Sequence, residues 1–348
     1  MKKNIVLLLS LFLVFSAGLK AQDIGQIISG STADANKYAK AYLEPFGKGE
    51  ILNMGRGWFS SGKVHKTLGF DVTVNAQVAI IPDVKQGFIF NNADYSTFKL
   101  NSSATSAPVA TFLGDKTTQS IAVNTTVNGK NVSYTFNTPT GIGSDMKNAV
   151  GFVAVPLPVA QVGIGLIKNT ELKIRYLPQT NIGDVSAGVF GLAVQHEFSN
   201  YIPGFKKVPF LHLSALAGYN TVNLQYALSN SNISGTNQHA ELKLSAFTLQ
   251  GIASLKVAFF ELYTSLGYTT GNADAALKGT YTINYKDNSN GGATYSNTVT
   301  DPIALSYTNS GISNTWGLRM NVFFLKIFAD YTFANYNGAG AGIAFSFR

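Results

Sequence analysis

The chain has 348 residues, of which 13% are charged and none is cysteine, and a formal net charge of +8. Lack of cysteine excludes disulfides, thiolate metal sites, a cysteine nucleophile and the acceptor of a bacterial lipid anchor. No dense Lys/Arg run of the kind that grips nucleic acid occurs, so nucleic acid is not an expected partner. Soluble domains carry roughly a quarter of their residues as charges. So low a charge, with abundant Gly, Tyr, Phe, Asn, Thr and Ser and no long apolar run beyond residue 21, excludes a helical membrane protein. It fits a transmembrane barrel whose polar side chains face a lumen.

Residues 1–21 read as a secretory signal peptide: Lys2 and Lys3, an apolar run from Ile5 to Phe15, then small residues ending at Ala21. The apolar run is too short to span a bilayer comfortably as a helix. Residues 22–50 are predicted to form a helical hatch or plug, and 51–348 an outer-membrane barrel. The helix is placed at Ser31–Leu43, with Ser31 as cap, Asp34 three residues on, and Ala35, Tyr38, Ala39, Tyr42 and Leu43 on one face. Pro45 disfavours helix at Glu44 and is predicted to end it.

Beyond about Asn53 the period is two. Phe70, Val72, Val74, Ala76, Val78 and Ile80 alternate with Asp71, Thr73, Asn75 and Gln77, as expected of a wall with hydrocarbon on one face and water on the other. Val162, Ile164 and Leu166, then Leu172, Ile174 and Tyr176, then Ile312, Trp316, Leu318 and Met320, repeat the pattern. The fold class is therefore all-β: a transmembrane antiparallel barrel of about twelve strands, within a range of 10–14. The strands are placed near 54–63, 67–82, 84–91, 156–167, 170–178, 184–198, 208–228, 240–256, 258–271, 312–324, 326–336 and 340–348. Counted from a periplasmic N-terminus, this puts the short links on the periplasmic side and two long external loops at 91–155 and 271–311. Each long loop holds a polar hairpin, the first around Asn128-Gly129. Two strands change phase, near Asn220 and at Ala246 to Phe247, which implies a β-bulge or a turn.

Three sets of residues carry functional meaning. Asp71, Glu171, Lys173, Arg175, Glu261, Arg319, Lys326 and Asp330 are predicted to face the lumen, where mixed signs suit a permeation path, a plug held by ion pairs, or simple mutual neutralisation. Tyr38, Tyr42 and Leu43 mark the hatch helix. Gly342, Phe345 and Phe347 resemble the C-terminal signal that barrels present to the barrel assembly machinery, with Gly340 and Arg348 as departures from it. Aromatic pairs at strand ends, Trp58 with Phe59, Phe259 with Phe260, and Phe323 with Phe324, suit interfacial girdles. The four histidines show no metal-ligand spacing, and no nucleophile elbow or phosphate loop occurs, so no enzyme, metal or cofactor is expected. The lone Gly163-x-Gly165 pair is read as room for a neighbouring backbone.

Several stretches together, Asp23-Ile24-Gly25-Gln26, Tyr42-Leu43-Glu44-Pro45-Phe46, Gly57-Trp58-Phe59, Lys66 to Asp71, Pro156 to Gly165 and Leu216-Ala217-Gly218-Tyr219, resemble an uncharacterised family of exported Bacteroidota proteins, a domain of unknown function. The resemblance implies an outer-membrane barrel and supplies no activity. A helix ahead of a barrel also resembles, in architecture only, the outer-membrane long-chain fatty acid transporters. The expected function is a channel or transporter for a small, hydrophobic ligand, plugged or gated by the N-terminal helix, with outer-membrane lipid as its surroundings. The alternative is a non-transporting scaffold that docks partners through its long loops.

Overall fold

The computed structural model describes residues 27–127, 129–203, 205, 208–228, 234–286 and 294–347. The signal peptide read at 1–21, Asn128 of the Asn-Gly turn, Gly204 and Arg348 lie outside them. Helix α1 (Thr32–Met54) is followed by β1 (Phe70–Ile80). An excursion then carries β2 (Gly87–Asn91), β3 (Phe98–Leu100), β4 (Ser106–Ala110), β5 (Ser120–Val127), β6 (Lys130–Asn137) and a short helix α2 (Gly143–Val150). The chain returns as β7 (Ala154–Leu166), β8 (Thr170–Ile182), β9 (Val185–Glu197), β10 (Leu211–Ala227), β11 (His239–Val257) and β12 (Phe260–Lys278). A second excursion holds β13 (Thr280–Lys286) and β14 (Thr294–Thr300), and β15 (Ile303–Val322), β16 (Leu325–Phe333) and β17 (Gly338–Phe347) complete the chain.

Ten of these strands close a barrel in the order β1-β17-β16-β15-β12-β11-β10-β9-β8-β7, all antiparallel, with β1 bonded to both β7 and β17. Closure removes every edge, so each buried main-chain group in the wall finds a neighbour. The count of twelve drops to ten for two reasons. Residues 84–91 leave the wall, and β2 pairs with β4 instead. Residues 54–63 form no strand, because α1 runs on to Met54 with Pro45 inside it, and the chain then passes through the lumen. The interior proline costs about 3 kcal/mol locally, but packing on both sides of it, with Tyr38, Tyr42, Ile51 and Met54 buried, holds the helix together. The material inside the ring thus extends to residue 68, past the boundary at 50.

Along the lower wall, the alternation is as the sequence implies. Phe70, Leu192, Leu249, Leu262, Trp316, Leu318 and Phe345 are exposed on the outer face, while Thr73, Gln161, Gln195, Gln250 and Ser265 are buried inside. The apolar belt covers about ten residues per strand, roughly 33 Å along the chain and about 25 Å in height once the strands tilt. Phe70 stacks on Phe347 at 5.1 Å, and Phe259 lies tilted against Phe260 at 4.3 Å, at the turn end. Trp58 and Phe59 do not join this girdle; both are buried in the lumen.

The phase changes near Asn220 and Ala246 are neither bulge nor turn. β10 and β11 pair without interruption from Leu211↔Leu255 to Ala227↔His239, and β11 and β12 from His239↔Lys278 to Val257↔Phe260. What changes is the medium. Above this level the outward positions become polar (Asn223, Lys243, Asp274), and the inward ones become apolar (Val222, Leu224, Leu244, Ala273, Leu305). The strands have left the hydrocarbon and stand in water around an apolar interior. For this reason 271–278 and 303–311 are strand rather than loop, and the excursions are 81–153 and 279–302. The two long-loop hairpins form as β5–β6 and β13–β14 and stay outside the wall. Link length does not sort cleanly by side: Pro82-Asp83 opens the long excursion, and β8–β9 and β16–β17 are joined by short links at the same end.

The excursions build a cap over that end around Phe90, Phe98, Ile121 and Tyr281. α1 starts inside the cap, where the Tyr285 hydroxyl donates to the Ser29 carbonyl (2.9 Å), and descends beside β15. The described chain therefore enters the ring from the cap end, not from the turn end as a periplasmic N-terminus implies. Asp34 latches the helix to the cap: its carboxylate accepts from the Ser96 amide and hydroxyl, both at 3.0 Å, and from the Thr97 amide and hydroxyl. Burial pushes this carboxyl up, but the bonds from Thr97 and Ser96 prevail and hold it below the usual range. A depressed pKa gives stability that is present above the unfolded value of 3.8 and is lost as pH falls through the folded one. Protection factors of the Ser96 and Thr97 amides, with the intrinsic exchange rate divided out, are expected to be high at neutral pH and to fall below about pH 4, and Asp34→Asn is expected to abolish that fall.

The chain has two tryptophans. Trp316 is exposed in the belt, 49% accessible, and Trp58 is 0% accessible. In vesicles of brominated lipid, Trp58→Phe protein is expected to lose most of its fluorescence, whereas Trp316→Phe protein is expected to keep its emission.

Candidate functional site

The site is the lumen itself. After Met54, residues 55–68 run without regular structure, through a series of bends, toward the turn end, where the Leu68 amide bonds to the Gly165 carbonyl (2.8 Å) and the Gly165 amide to the Gly69 carbonyl (2.8 Å). Local bonds such as Arg56 amide to Asn53 carbonyl (3.0 Å) and Gly69 amide to Lys66 carbonyl (2.8 Å) serve only its ends, and each buried group left without a partner costs about 1–3 kcal/mol. The wall supplies the partners. Asn220 donates to the Met54 carbonyl (2.7 Å), Gln250 to Gly55 (2.6 Å), Asn75 to Gly57 (3.3 Å), Gln161 to Trp58 (3.2 Å) and Gln195 to Ser61 (2.9 Å). In the opposite sense, the Gly62 amide donates to Ser254 (2.9 Å), the Val64 amide to Glu197 (3.2 Å) and the His65 amide to Glu171 (2.9 Å).

Arg175 is the centre of this grip. Its Nη2 donates to the Arg56 carbonyl at 2.7 Å, Nη1 to Met54 at 3.3 Å and Nε to Gln161 Oε1 at 3.1 Å. The guanidinium lies 3.5 Å over the Trp58 ring, a cation–π contact in a site closed to water. Trp58 fits because the wall narrows to glycine beside it: a Cβ on Gly218 or Gly191 would meet the indole at 3.1–3.3 Å.

The eight charged residues of the candidate set divide into separate tasks. Glu171 bonds to His65 Nδ1 (2.9 Å) and pairs with Lys173, with Asp71 at 3.8 Å from the His65 ring. His65, Asp71 and Glu171 bring ligand atoms within 4.8 Å of one another, a grouping that sequence separation concealed. Lys173 already supplies the positive charge there, and His65 Nε2 is engaged by Ser346 at 2.9 Å. Glu261 pairs with Arg319 and accepts from Ser61, while Arg319 also reaches Ser60 (3.4 Å). Asp330 accepts from the Tyr263 hydroxyl (3.0 Å), and Lys326 caps the Phe323 carbonyl (3.3 Å). Five neutral side chains in the grip, Asn75, Gln161, Gln195, Asn220 and Gln250, were missed by a search for charge. Their inward position in the two-residue period was the available signal. Glu197, which bonds to His212 Nδ1 at 2.8 Å, was missed as well. Gly165 makes room for the plug: a Cβ there would fall 2.2 Å from the Lys66 carbonyl oxygen.

Above the grip, the lumen is apolar and is not filled. α1 leans toward β12 and β15, with Gly47 against the Tyr307 ring, and leaves a cavity of about 230 Å³ against β9–β12. Tyr42, Leu43 and Phe46 of the helix face Leu224, Tyr226 and Leu242 of the wall across it, with Glu50 also in the lining. Of the hatch-helix residues, Tyr38 is buried edge-on against Phe88, 5.7 Å between centroids, and Tyr42 donates to the Thr140 carbonyl at 2.8 Å. In the last strand, Phe345 and Phe347 face outward, while Gly342 lies inward against Asn75 and Phe328.

These features define an antiparallel transmembrane barrel threaded by its own N-terminal segment. The chain belongs to the family described as a family of unknown function (DUF6588), whose model matches residues 1–347. No curated protein matches it. Among solved structures, it is similar to the outer membrane protease OmpT from Escherichia coli at 10% identity, over 81% of this chain and 99% of that one, with a TM-score of 0.27. It is also similar to the translocator domain of the autotransporter NalP from Neisseria meningitidis at 11% identity, over 90% and 97%, with a TM-score of 0.24. A third is the outer membrane transporter YddB from Escherichia coli, at 10% identity over 81% and 42%, with a TM-score of 0.29.

Arg175→Ala strands the Arg56 carbonyl and leaves the Met54 carbonyl to Asn220 alone, a loss of about 1–3 kcal/mol from the plug. Trypsin added to purified protein is expected to cut after Arg56 or Lys63 in the variant and not in the native chain. Planar bilayers holding the variant are expected to show conductance steps that the native protein lacks.

Proposed function

We propose that this protein is an outer-membrane barrel that is closed at rest by its own residues 55–68 and captures a small hydrophobic ligand in the upper chamber beside α1. The cavity carries the reading. A lumen that only needed sealing would be packed to interior density; this one keeps an apolar space at its cap end, above a floor held by side chains from β1 and β7 to β11. An apolar cavity of about 150 Å³ accepts benzene, so the larger space here suits a single substituted ring or a short chain. On this reading α1 is the hatch, with Leu43 forming part of the ligand surface while Tyr38 and Tyr42 anchor the helix to the cap. Transport then requires the grip on 55–66 to be released. Export through the signal peptide and insertion by the assembly machinery, read from Gly342, Phe345 and Phe347, complete the proposal, with Phe345 and Phe347 facing lipid.

A second reading, docking of a partner by the cap, is favoured by the apolar side chains that the first excursion exposes, Val84 at 84% and Ile89 at 66%. Binding of an apolar fluorescent probe separates the two. Ala275 lines the cavity, and Ala275→Trp is expected to weaken probe binding at least tenfold with an unchanged heat-modifiable band on gels. Val84→Ser with Ile89→Ser is expected to leave it unchanged. Equal probe affinity in native and Ala275→Trp protein would remove the case for a ligand chamber.

A further inference from the structure

Among the inward-facing side chains of the cavity, Glu50 is the charged one. It stands on α1 a turn below Phe46, is 3% exposed, and lines the chamber. Among the described residues it accepts a hydrogen bond from Asn53 Nδ2 to Oε2 at 3.3 Å and takes part in no ion pair. The nearby guanidinium of Arg56 is committed elsewhere, to the carbonyls of Val78 (3.0 Å), Asn337 (3.4 Å) and Tyr336. The other acid in the lining, Glu241, differs in kind: it lies at the rim and is paired with His239 at 3.0 Å and Lys243 at 3.2 Å.

A carboxyl held in an apolar chamber without a counter-charge is costly unless something in the chamber answers it. Three other buried acids in the lumen have an ion-pair partner, Glu171 in Lys173 and His65, Glu197 in His212, and Glu261 in Arg319, while Asp330, like Glu50, has a neutral donor, the Tyr263 hydroxyl. Glu50 has open space and aromatic and aliphatic walls.

We propose that the ligand of this chamber is an aralkyl or alkyl amine, its apolar body lying among Leu43, Phe46, Leu224 and Tyr226 and its ammonium meeting the Glu50 carboxylate. The pairing forms from either protonation state. A free amine takes the proton of a neutral carboxylic acid, and an ammonium meets an ionised one; both routes end in the same ion pair, and no other reactant is needed. The inference rests on the ligand chamber proposed above and adds the head group.

The test compares 2-phenylethylamine with propylbenzene, which replaces the ammonium with a methyl group at nearly the same volume. Full-length protein in nanodiscs of zwitterionic lipid is titrated with each. The amine is expected to bind at least tenfold more tightly than the hydrocarbon, and Glu50→Gln is expected to bring the two within about twofold by weakening the amine alone. Glu50→Asp, which keeps the charge but draws it back, is expected to fall between them. Equal affinities in the native protein, or a preference that survives Glu50→Gln, would overturn the amine assignment while leaving an apolar chamber in place. Failure of both probes to bind would overturn the amine and the chamber together.

Discussion

The structure depends on one requirement: a stretch of main chain buried in a lumen must find a hydrogen-bond partner for each amide and carbonyl outside itself. Main-chain groups of residues 54–65 find partners in side chains from β1, β7, β8, β9, β10 and β11, and the long separations of these bonds in sequence show how fully the ring must be assembled before the segment can settle. The polar inner face, which in an open pore would be wetted by water, is used here to dress a peptide. Plug and barrel are thus one folding unit. Arg175, with its bonds to two carbonyls and its place over Trp58, ties the helix end, the irregular segment and the wall at a single point.

From that requirement follows the division of the lumen into two storeys. Below, polar side chains grip an irregular chain. Above, the wall inverts: apolar inside, polar outside, because the strands have passed the lipid and only the interior remains dry. A helix suits the upper storey because it satisfies its own main chain and needs only apolar contact from its surroundings. The cap shields its first turn through Asp34, while its last turn hands the chain to the polar grip at Met54. The chamber lies where a helix of fixed diameter fails to fill a ring of ten strands, between α1 and the inner faces of β10, β11, β12 and β15.

The ionisable groups inside the ring show the same economy. Most serve as paired fixtures of the seal, which explains why mixed signs cluster without forming a continuous charged path. Glu50 faces space without an ion-pair partner among the described residues, and it sits in the apolar storey, where an unanswered charge matters most.

What the sequence determined by itself was the wall: a period of two in Phe70–Ile80, Val162–Leu166 and Ile312–Met320 already separates hydrocarbon from lumen, since each side chain answers to the medium on its own face. Ser31 and Asp34 likewise marked the start of α1, because capping is local. The end of that helix was misread at Pro45, since a local penalty was outweighed by packing against residues hundreds of positions away. The phase change at Asn220 was visible, but its cause was not, for a bulge and a membrane boundary leave the same trace in a single strand, and only the unbroken register with β11 tells them apart. Strand number, the path of 55–68, the partners of Gln161, Gln195 and Gln250, and the exposure of Glu50 to a cavity were decided by tertiary structure alone. Each depends on which distant segments the closed ring brings face to face, and that is a property of closure rather than of any stretch of chain.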